Sequence, residues 1–206
     1  MQTHHDSRCL MDLIGRLLGR PSAPVMLIVI VVVLSLLAGF SSANSLVWQR
    51  AALSEGDYWR LLSAHLVHLS PRHLLMNLLA LWLVSELICK TLSSAQWISL
   101  SVVSALGISL SLWLLQPQLH WYAGLSGVLH GLWSGGAAYR WIIERKKIFL
   151  LALLALFIRL MIGVQVSNEF SVIAVAHWYG ACSGLLWLAL TQVHERLHVF
   201  DYNARC

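Results

Sequence analysis

Three stretches of the chain place reactive side chains among apolar neighbours: His73 and Asn77 in "SPRHLLMN", Ser126 in "WYAGLSGVLHGLWSGG", and His177 in "AHWYGACSG". A serine hydroxyl hydrogen-bonded to an imidazole is a nucleophile beside its general base. Asn77, His73 and the free N–H groups of a helix that begins at Ser126 are donors of the kind that hold an oxyanion. That chemistry requires residues far apart in the chain to meet. The elements that carry them therefore decide whether it is available.

Composition restricts those elements. The 206 residues are 58% hydrophobic and 11% charged, with a mean hydropathy of +0.71, which does not describe a soluble domain built around one dry core. Apolar runs of about 17 to 20 residues, the length that crosses a hydrocarbon core of ~30 Å, lie near 24–41, 73–89, 95–116, 148–166 and 174–192. A sixth and shorter run covers 126–140. No strand-like alternation competes, so the expected fold is all-α: a polytopic membrane bundle of six transmembrane helices. It divides into a cytoplasmic N-terminal segment (1–23), the membrane domain (24–192) and a cytoplasmic C-terminal tail (193–206). The first run is long for a signal-peptide core and reads as a retained helix. Cys9, Cys89, Cys182 and Cys206 are scattered and none falls in an outside loop, which argues against a disulfide framework.

Lysine and arginine set the orientation. With both termini in the cytoplasm, the inside segments hold Arg8, Arg16, Arg20, Lys90, Arg140, Arg145, Lys146, Lys147, Arg196 and Arg205. The outside segments hold only Arg50, Arg60 and Arg72, all in the long first loop. The formal net charge of +5 then reflects topology and calls for no nucleic-acid partner.

In this topology the runs that are second, fourth and sixth in chain order, 73–89, 126–140 and 174–192, all enter from outside, which puts His73 and Asn77, Ser126 and His177 in one leaflet. At ~1.5 Å per residue, Asn77 lies about 20 Å from Lys90, Ser126 about 21 Å from Arg140 and His177 about 27 Å from Glu195. Each is several ångströms below the outer surface. Ser70 as N-cap and Pro71 at the first helical position place His73 and Asn77 on one face, four residues apart. Gly127, Gly131 and Gly135 repeat at GxxxG spacing, as do Gly180 and Gly184, so the fourth and sixth helices can approach closely and bring Ser126 to His177. Irregular backbone such as "WYAG" at membrane depth implies enclosure in protein or an outward-opening, water-filled cavity. No carboxylate lies at that depth on these helices, since Glu86 and Glu195 are at the cytoplasmic ends, so the pair is a dyad and not a triad.

"YWR" at 58–60, "HLVHLSPRHLLMN" with His68, His73 and Asn77, "GLSG" at 124–127 and "AHWYGACSG" at 176–184, in that order, resemble the rhomboid family of intramembrane serine proteases. The resemblance implies a six-helix bundle, a Ser126–His177 dyad, and His73, Asn77 and the Ser126 N–H around the oxyanion, with Gly124, Gly127 and His130 near the active site. It implies no metal and no organic cofactor. The implied partners are membrane-anchored protein substrates and the lipid bilayer, and the implied location is a bacterial inner membrane with the active site facing outward. His130 stands where many rhomboids carry a tyrosine, and the wording "WYAGLSGVLHG" is similar to the rhombosortase branch. That likeness implies processing of proteins anchored by a C-terminal Gly-Gly, hydrophobic helix and basic cluster. In "LVSELI" a glycine found in many rhomboids is missing ahead of Glu86.

Each residue taken singly has a plainer reading. Membrane serines commonly back-bond to a carbonyl, His73 with Asn77 can bridge helices, His65 and His68 read as loop or interface residues, and Trp59 with Arg60 as interfacial anchors. Their joint depth favours chemistry. Three other functions stand beside the dyad. "HERLH" at 194–198 matches the HExxH zinc-protease pattern, with Asp201, His4 and His5 as the available third ligands. A non-catalytic rhomboid-like binder of membrane clients would lack the serine or the histidine. Arg159, within the fifth run, invites transport.

Overall fold

The computed structural model describes residues 23–41, 45–166 and 172–205; the side chains of 164–166, 172–173 and 193–205 are outside that description. The chain is mostly helical, with eight helices and one short strand pair among the described residues. Helix α1 (Ala23–Ala38) leads to β1 (Trp48–Gln49) and two short helices, α2 (Arg50–Ser54) and α3 (Arg60–Ser63). Next come α4 (Pro71–Leu87), α5 (Ser94–Leu115), β2 (Trp121–Tyr122), α6 (Ser126–Glu144), α7 (Lys147–Val166) and α8 (Val172–Arg205).

Local chemistry sets the boundaries. Ser70 caps α4 by accepting the His73 N–H, with Pro71 in the first turn. Ser93 and Gln96 cap α5 reciprocally. Helix α6 is not the short element expected from the apolar run 126–140. It continues to Glu144 because Arg140 bonds Glu144 at 2.6 Å, one turn on, and donates to the Leu87 carbonyl at the end of α4, at 2.7 Å. Hydrogen bonds from Arg140 and Lys146 hold the Glu144 carboxyl below the usual carboxylate range. Arg145, in the left-handed region at φ 55°, ends the helix and turns the chain directly into α7. Likewise α8 does not stop near 192 but runs on to Arg205, with no glycine or proline after Gly184 to break it.

One described helix, Ser94–Leu115, is by itself long and apolar enough to cross a membrane, and Ala23–Ala38 is a shorter apolar helix. Large apolar side chains are exposed along α1 (Val29, Leu36, Leu37) and α7 (Leu151, Leu154, Ile158). Such faces need apolar surroundings.

Helix α6 is the centre of the packing, buried through Gly127, Gly131, Gly135, Gly136, Ala137 and Ala138. Against α8 the fit is backbone to backbone. A Cβ at Gly180 would collide with the Gly127 carbonyl, one at Gly184 with the Gly131 carbonyl, and one at Gly135 would stand 2.7 Å from the Gly184 carbonyl. Apolar burial does not drive helices together inside lipid, so such close van der Waals contact, with Cα–H···O contacts, supplies the cohesion. Polar ties add direction: Ser134 Oγ donates to the Ala181 carbonyl at 2.8 Å, Trp187 Nε1 to Ser99 Oγ at 2.9 Å, and Trp133 Nε1 to the Ala152 carbonyl on α7 at 3.0 Å.

The first loop is part of the interior. β1 pairs antiparallel with β2, Trp48 opposite Tyr122 and Gln49 opposite Trp121, which binds the loop to the segment leading into α6. Arg50 donates to the carbonyls of Leu112, Trp113 and Gln116 and so caps the end of α5, its guanidinium 4.6 Å from the Trp113 ring centroid. Three residues expected at loop surfaces or interfaces are buried instead. Arg60 bonds Asp57 and the Val47 carbonyl at 2.9 and 2.8 Å; His65 meets Ser109 at 3.0 Å; His68 meets Ser35 on α1 at 3.1 Å. Only Trp59, 53% exposed, keeps the expected position.

Gly180→Ala is expected to destabilise the bundle by about 1 to 3 kcal/mol, the usual cost of overpacking, seen as a lower unfolding midpoint in detergent. Gly163→Ala should be tolerated, because among the described residues an added Cβ there meets the end of the flexible Arg159 side chain, at 3.3 Å, and no backbone. An unchanged midpoint for Gly180→Ala would show that α6 and α8 need not pack backbone to backbone.

Candidate active site

Ser126 is the first residue of α6, and the five residues before it explain why a helix starts there. Tyr122 is held by its β1 partner Trp48, and the Gly124 N–H donates to the Ala64 carbonyl at 2.9 Å. Gly124 turns the chain at φ +126°, a conformation that favours glycine. Leu125, the N-cap, has no side-chain oxygen to offer the first-turn N–H groups. The nearest substitute is the Tyr122 phenol, which donates to the Gly124 carbonyl at 3.1 Å and stands beside the Ser126 hydroxyl and the Gly127 N–H. The backbone from 122 to 125 is buried in protein, while Ser126 is half-exposed.

The glycine contact of α6 with α8 sets Ser126 against His177: His177 Nε2 lies 2.9 Å from Ser126 Oγ. A neutral His177 with its proton on Nδ1 accepts the Ser126 hydroxyl proton. His130, one turn after Ser126, donates from Nδ1 to the Ser126 carbonyl at 2.7 Å; a carbonyl only accepts, so that nitrogen carries the proton. The His130 ring stacks on His177 with centroids 4.0 Å apart and planes 13° apart. His177 is thus positioned by a hydrogen bond at its edge and a ring on its face.

Helix α4 supplies the other two candidates. The His73 ring covers Gly124 so closely that a Cβ there would be 2.7 Å from His73 Cε1. The His68 ring meets His73 edge-on at 4.9 Å. Asn77, one turn on, is buried, and its amide nitrogen has no hydrogen-bond partner among the described residues. An unpaired buried donor costs roughly 1 to 3 kcal/mol, so it fits a group that is satisfied only when an anionic oxygen arrives. The candidate residues on α4, α6 and α8 therefore share one end of the bundle. Gly124 and Gly127 act through absence of bulk: Gly124 admits His73, and Gly127 admits α8, where a Cβ would be 3.1 Å from the Ala176 carbonyl.

Tyr122 and His68 are contacts that the sequence reading missed. The position of "WY" directly ahead of "AGLSG" was the available sign for Tyr122; nothing in the sequence marked His68 as a neighbour of His73. Among the described residues, no three His, Cys, Asp or Glu side chains are grouped to hold a metal. The side chains of His194, Glu195, His198 and Asp201, and all of His4 and His5, lie outside the described residues. Glu86 is exposed on α4.

Residues 55–193 match the Rhomboid domain family. The chain is 33% identical to Rhomboid protease GlpG of Enterobacter sp. (strain 638) over 100 residues, 48% of this chain and 33% of that protein. It is 26% identical to Rhomboid protease GluP of Bacillus subtilis (strain 168) over 125 residues, 58% of this chain and 24% of that protein. The chain thus spans a third or less of the length of these curated relatives. The family match takes in α4 to α7, the start of α8 and all of His73, Asn77, Ser126 and His177, and with more than half of its length matched the chain belongs to the rhomboid family.

Proposed function

We propose that this protein is an intramembrane serine protease that cuts a peptide bond in or beside a substrate's transmembrane segment. The observation that carries the reading is the 2.9 Å contact between His177 Nε2 and Ser126 Oγ at a helix start that no N-cap side chain closes. Ser126 Oγ attacks the scissile carbonyl carbon while His177 Nε2 takes its proton. The carbonyl oxygen becomes an oxyanion held by the Ser126 N–H, Asn77 and His73. His177 then returns the proton to the departing amine nitrogen as the C–N bond breaks. Water, losing a proton to the same nitrogen, attacks the acyl-enzyme ester, and Ser126 Oγ leaves carrying that proton. A rhomboid-like protein that only binds clients has no use for this Ser–His contact.

The same reading places 24–192 in the membrane as six spans, with 1–23 and 193–206 in the cytoplasm and the site facing outward, in a bacterial inner membrane. Family membership and the exposed apolar faces of α1 and α7 support a lipid setting. The cut then falls near the outer end of the substrate's span and frees what lies outside. A protease needs extended backbone, and a spanning helix keeps its carbonyls in internal hydrogen bonds. Glycine lowers the cost of unwinding by about 1 kcal/mol per residue relative to alanine. A Gly-Gly pair just outside a C-terminal hydrophobic anchor is therefore the preferred target, as in the rhombosortase branch.

Ser126→Ala and His177→Ala are each expected to abolish cleavage and fluorophosphonate labelling without lowering the thermal midpoint. Asn77→Ala should slow turnover by no more than the roughly 2.7 to 4 kcal/mol that one oxyanion donor contributes. Full activity in Ser126→Ala would end the mechanism.

His194→Ala, Glu195→Ala and chelators should leave activity near wild type. Loss of cleavage with chelator, restored by zinc, would instead favour the HERLH metalloprotease.

A secreted reporter with a Gly-Gly, hydrophobic and basic tail should be released in a Ser126-dependent manner. Its new C-terminus can be mapped by mass spectrometry. Replacing the glycines with leucine should weaken release; equal processing of both tails would leave a general rhomboid protease.

A further inference from the structure

Arg159 has no part in the mechanism above, yet the fold carries it to the nucleophile. Helices α6 and α7 are joined by the turn at Arg145 and run antiparallel, tied where Trp133 Nε1 donates to the Ala152 carbonyl. From that tie Arg159 lies as far along α7 as Ser126 lies back along α6, about 10 Å at 1.5 Å per residue. Both steps are about two full turns, so Arg159 shares the face of Ala152 and Ser126 that of Trp133. Arg159 therefore sits level with Ser126, at the edge of the buried face that Leu156 and Leu160 form on α7.

Its surroundings agree with this placement. The guanidinium lies along α7 over Gly163, where the missing side chain leaves room for it, with Nη1 3.3 Å from the position of an added Cβ. Arg159 is exposed, and no ion pair among the described residues uses it. Among the described residues it is the one Lys or Arg side chain close enough to both His130 on α6 and His177 on α8 to bear on their charge. The backbone of Arg159 is about 18 Å from Lys147 at the other end of α7, and its guanidinium reaches about one turn further outward, over Gly163. A cation at membrane depth is costly unless it meets an anion or water. Here it also opposes the positive charge that His177 acquires when it takes the Ser126 proton, so an anion bound at Arg159 relieves both penalties.

We propose that Arg159 is a specificity residue that pairs with a carboxylate side chain of the substrate beside the scissile bond. The assignment rests on the protease reading and names the chemistry that this site selects. A substrate carboxylate fits better than a lipid phosphate, because the backbone of Arg159 is level with the nucleophile and its guanidinium, over Gly163, stays within about one turn of that level.

The test is a set of tail reporters carrying Asp, Asn or Lys at each of the positions flanking the mapped cut, assayed with the full-length enzyme in vesicles. At one or more positions the wild type should cleave the Asp reporter about tenfold more efficiently than the Asn reporter. Arg159→Gln should lose that preference while still cleaving the Asn reporter, Arg159→Lys should keep part of it, and Arg159→Glu should favour the Lys reporter. A gain on the Lys reporter has no explanation in misfolding. The proposal is overturned if Arg159→Gln keeps the wild-type Asp to Asn ratio, or if the wild type shows no Asp preference at any position. It also falls if the effect of Arg159 follows the anionic lipid content of the vesicles and not the reporter's charge. Cleavage by Ser126→Ala would sink the underlying mechanism, a result separate from all of these.

Discussion

The contact on which the rest of the structure depends is the backbone-to-backbone packing of α6 on α8. Gly180 fits against the Gly127 carbonyl, Gly131 against that of Gly180, Gly184 against that of Gly131 and Gly135 against that of Gly184, an alternating ladder along both helices. One methyl group anywhere in it would drive the helices apart, and hydrogen-bond reach between Ser126 and His177 is a matter of a few tenths of an ångström. A wider crossing would leave a serine and a histidine at the same depth with no chemistry between them. The ladder also carries α5, because Ser104 closes on Gly131 and Ser183 on Gly107.

A helix that begins at the nucleophile leaves backbone groups that must be satisfied without bulk water. The first loop does this. Its strand β1 pairs with β2, Ala64 accepts from Gly124, and the Tyr122 phenol donates to the Gly124 carbonyl. Arg50 serves the same end at the terminus of α5, where three carbonyls of that helix share one guanidinium. In a medium of low dielectric each of these bonds is stronger than in water, and each missing one costs more. That is why the Asn77 amide stands out: among the described residues it has no hydrogen-bond partner, and it lies on the same face of α4 as His73, one turn on.

The parts of this arrangement that were legible in the sequence are those written in local spacing. GxxxG repeats, Ser70 before Pro71, and apolar run lengths each act within one helix or between two, and they predicted which helices meet and where α4 begins. Contacts set by tertiary folding of the first loop were not legible. Arg60, His65 and His68 carry polar side chains that read as surface residues, and partners remote or unremarkable in sequence, among them Asp57, Val47, Ser109 and Ser35, help to make their burial tolerable. The two-residue strands are too short for alternation to reveal. Helix ends misled for a related reason: Arg140 and Glu144 end an apolar run yet extend a helix, because an i,i+4 ion pair is as compatible with the helix as the apolar residues before it.

His130 shows how a site can orient its base without a carboxylate. In a triad the third residue fixes the tautomer and angle of the imidazole and offsets the charge it acquires. Here the stacked ring of His130 fixes the plane of His177, and the bond from its Nδ1 to the Ser126 carbonyl fixes His130 in turn. The orientation of the base is thereby referred back to the backbone of the nucleophile itself, through one turn of α6. A neutral ring with its face toward a forming imidazolium also offers it π-electron density. With Nδ1–H donated to the Ser126 carbonyl, Nε2 of a neutral His130 is left as an acceptor. Stacking therefore supports the proposed reaction only while His130 is neutral, because a second imidazolium with its centroid 4.0 Å away would oppose the charge that His177 acquires.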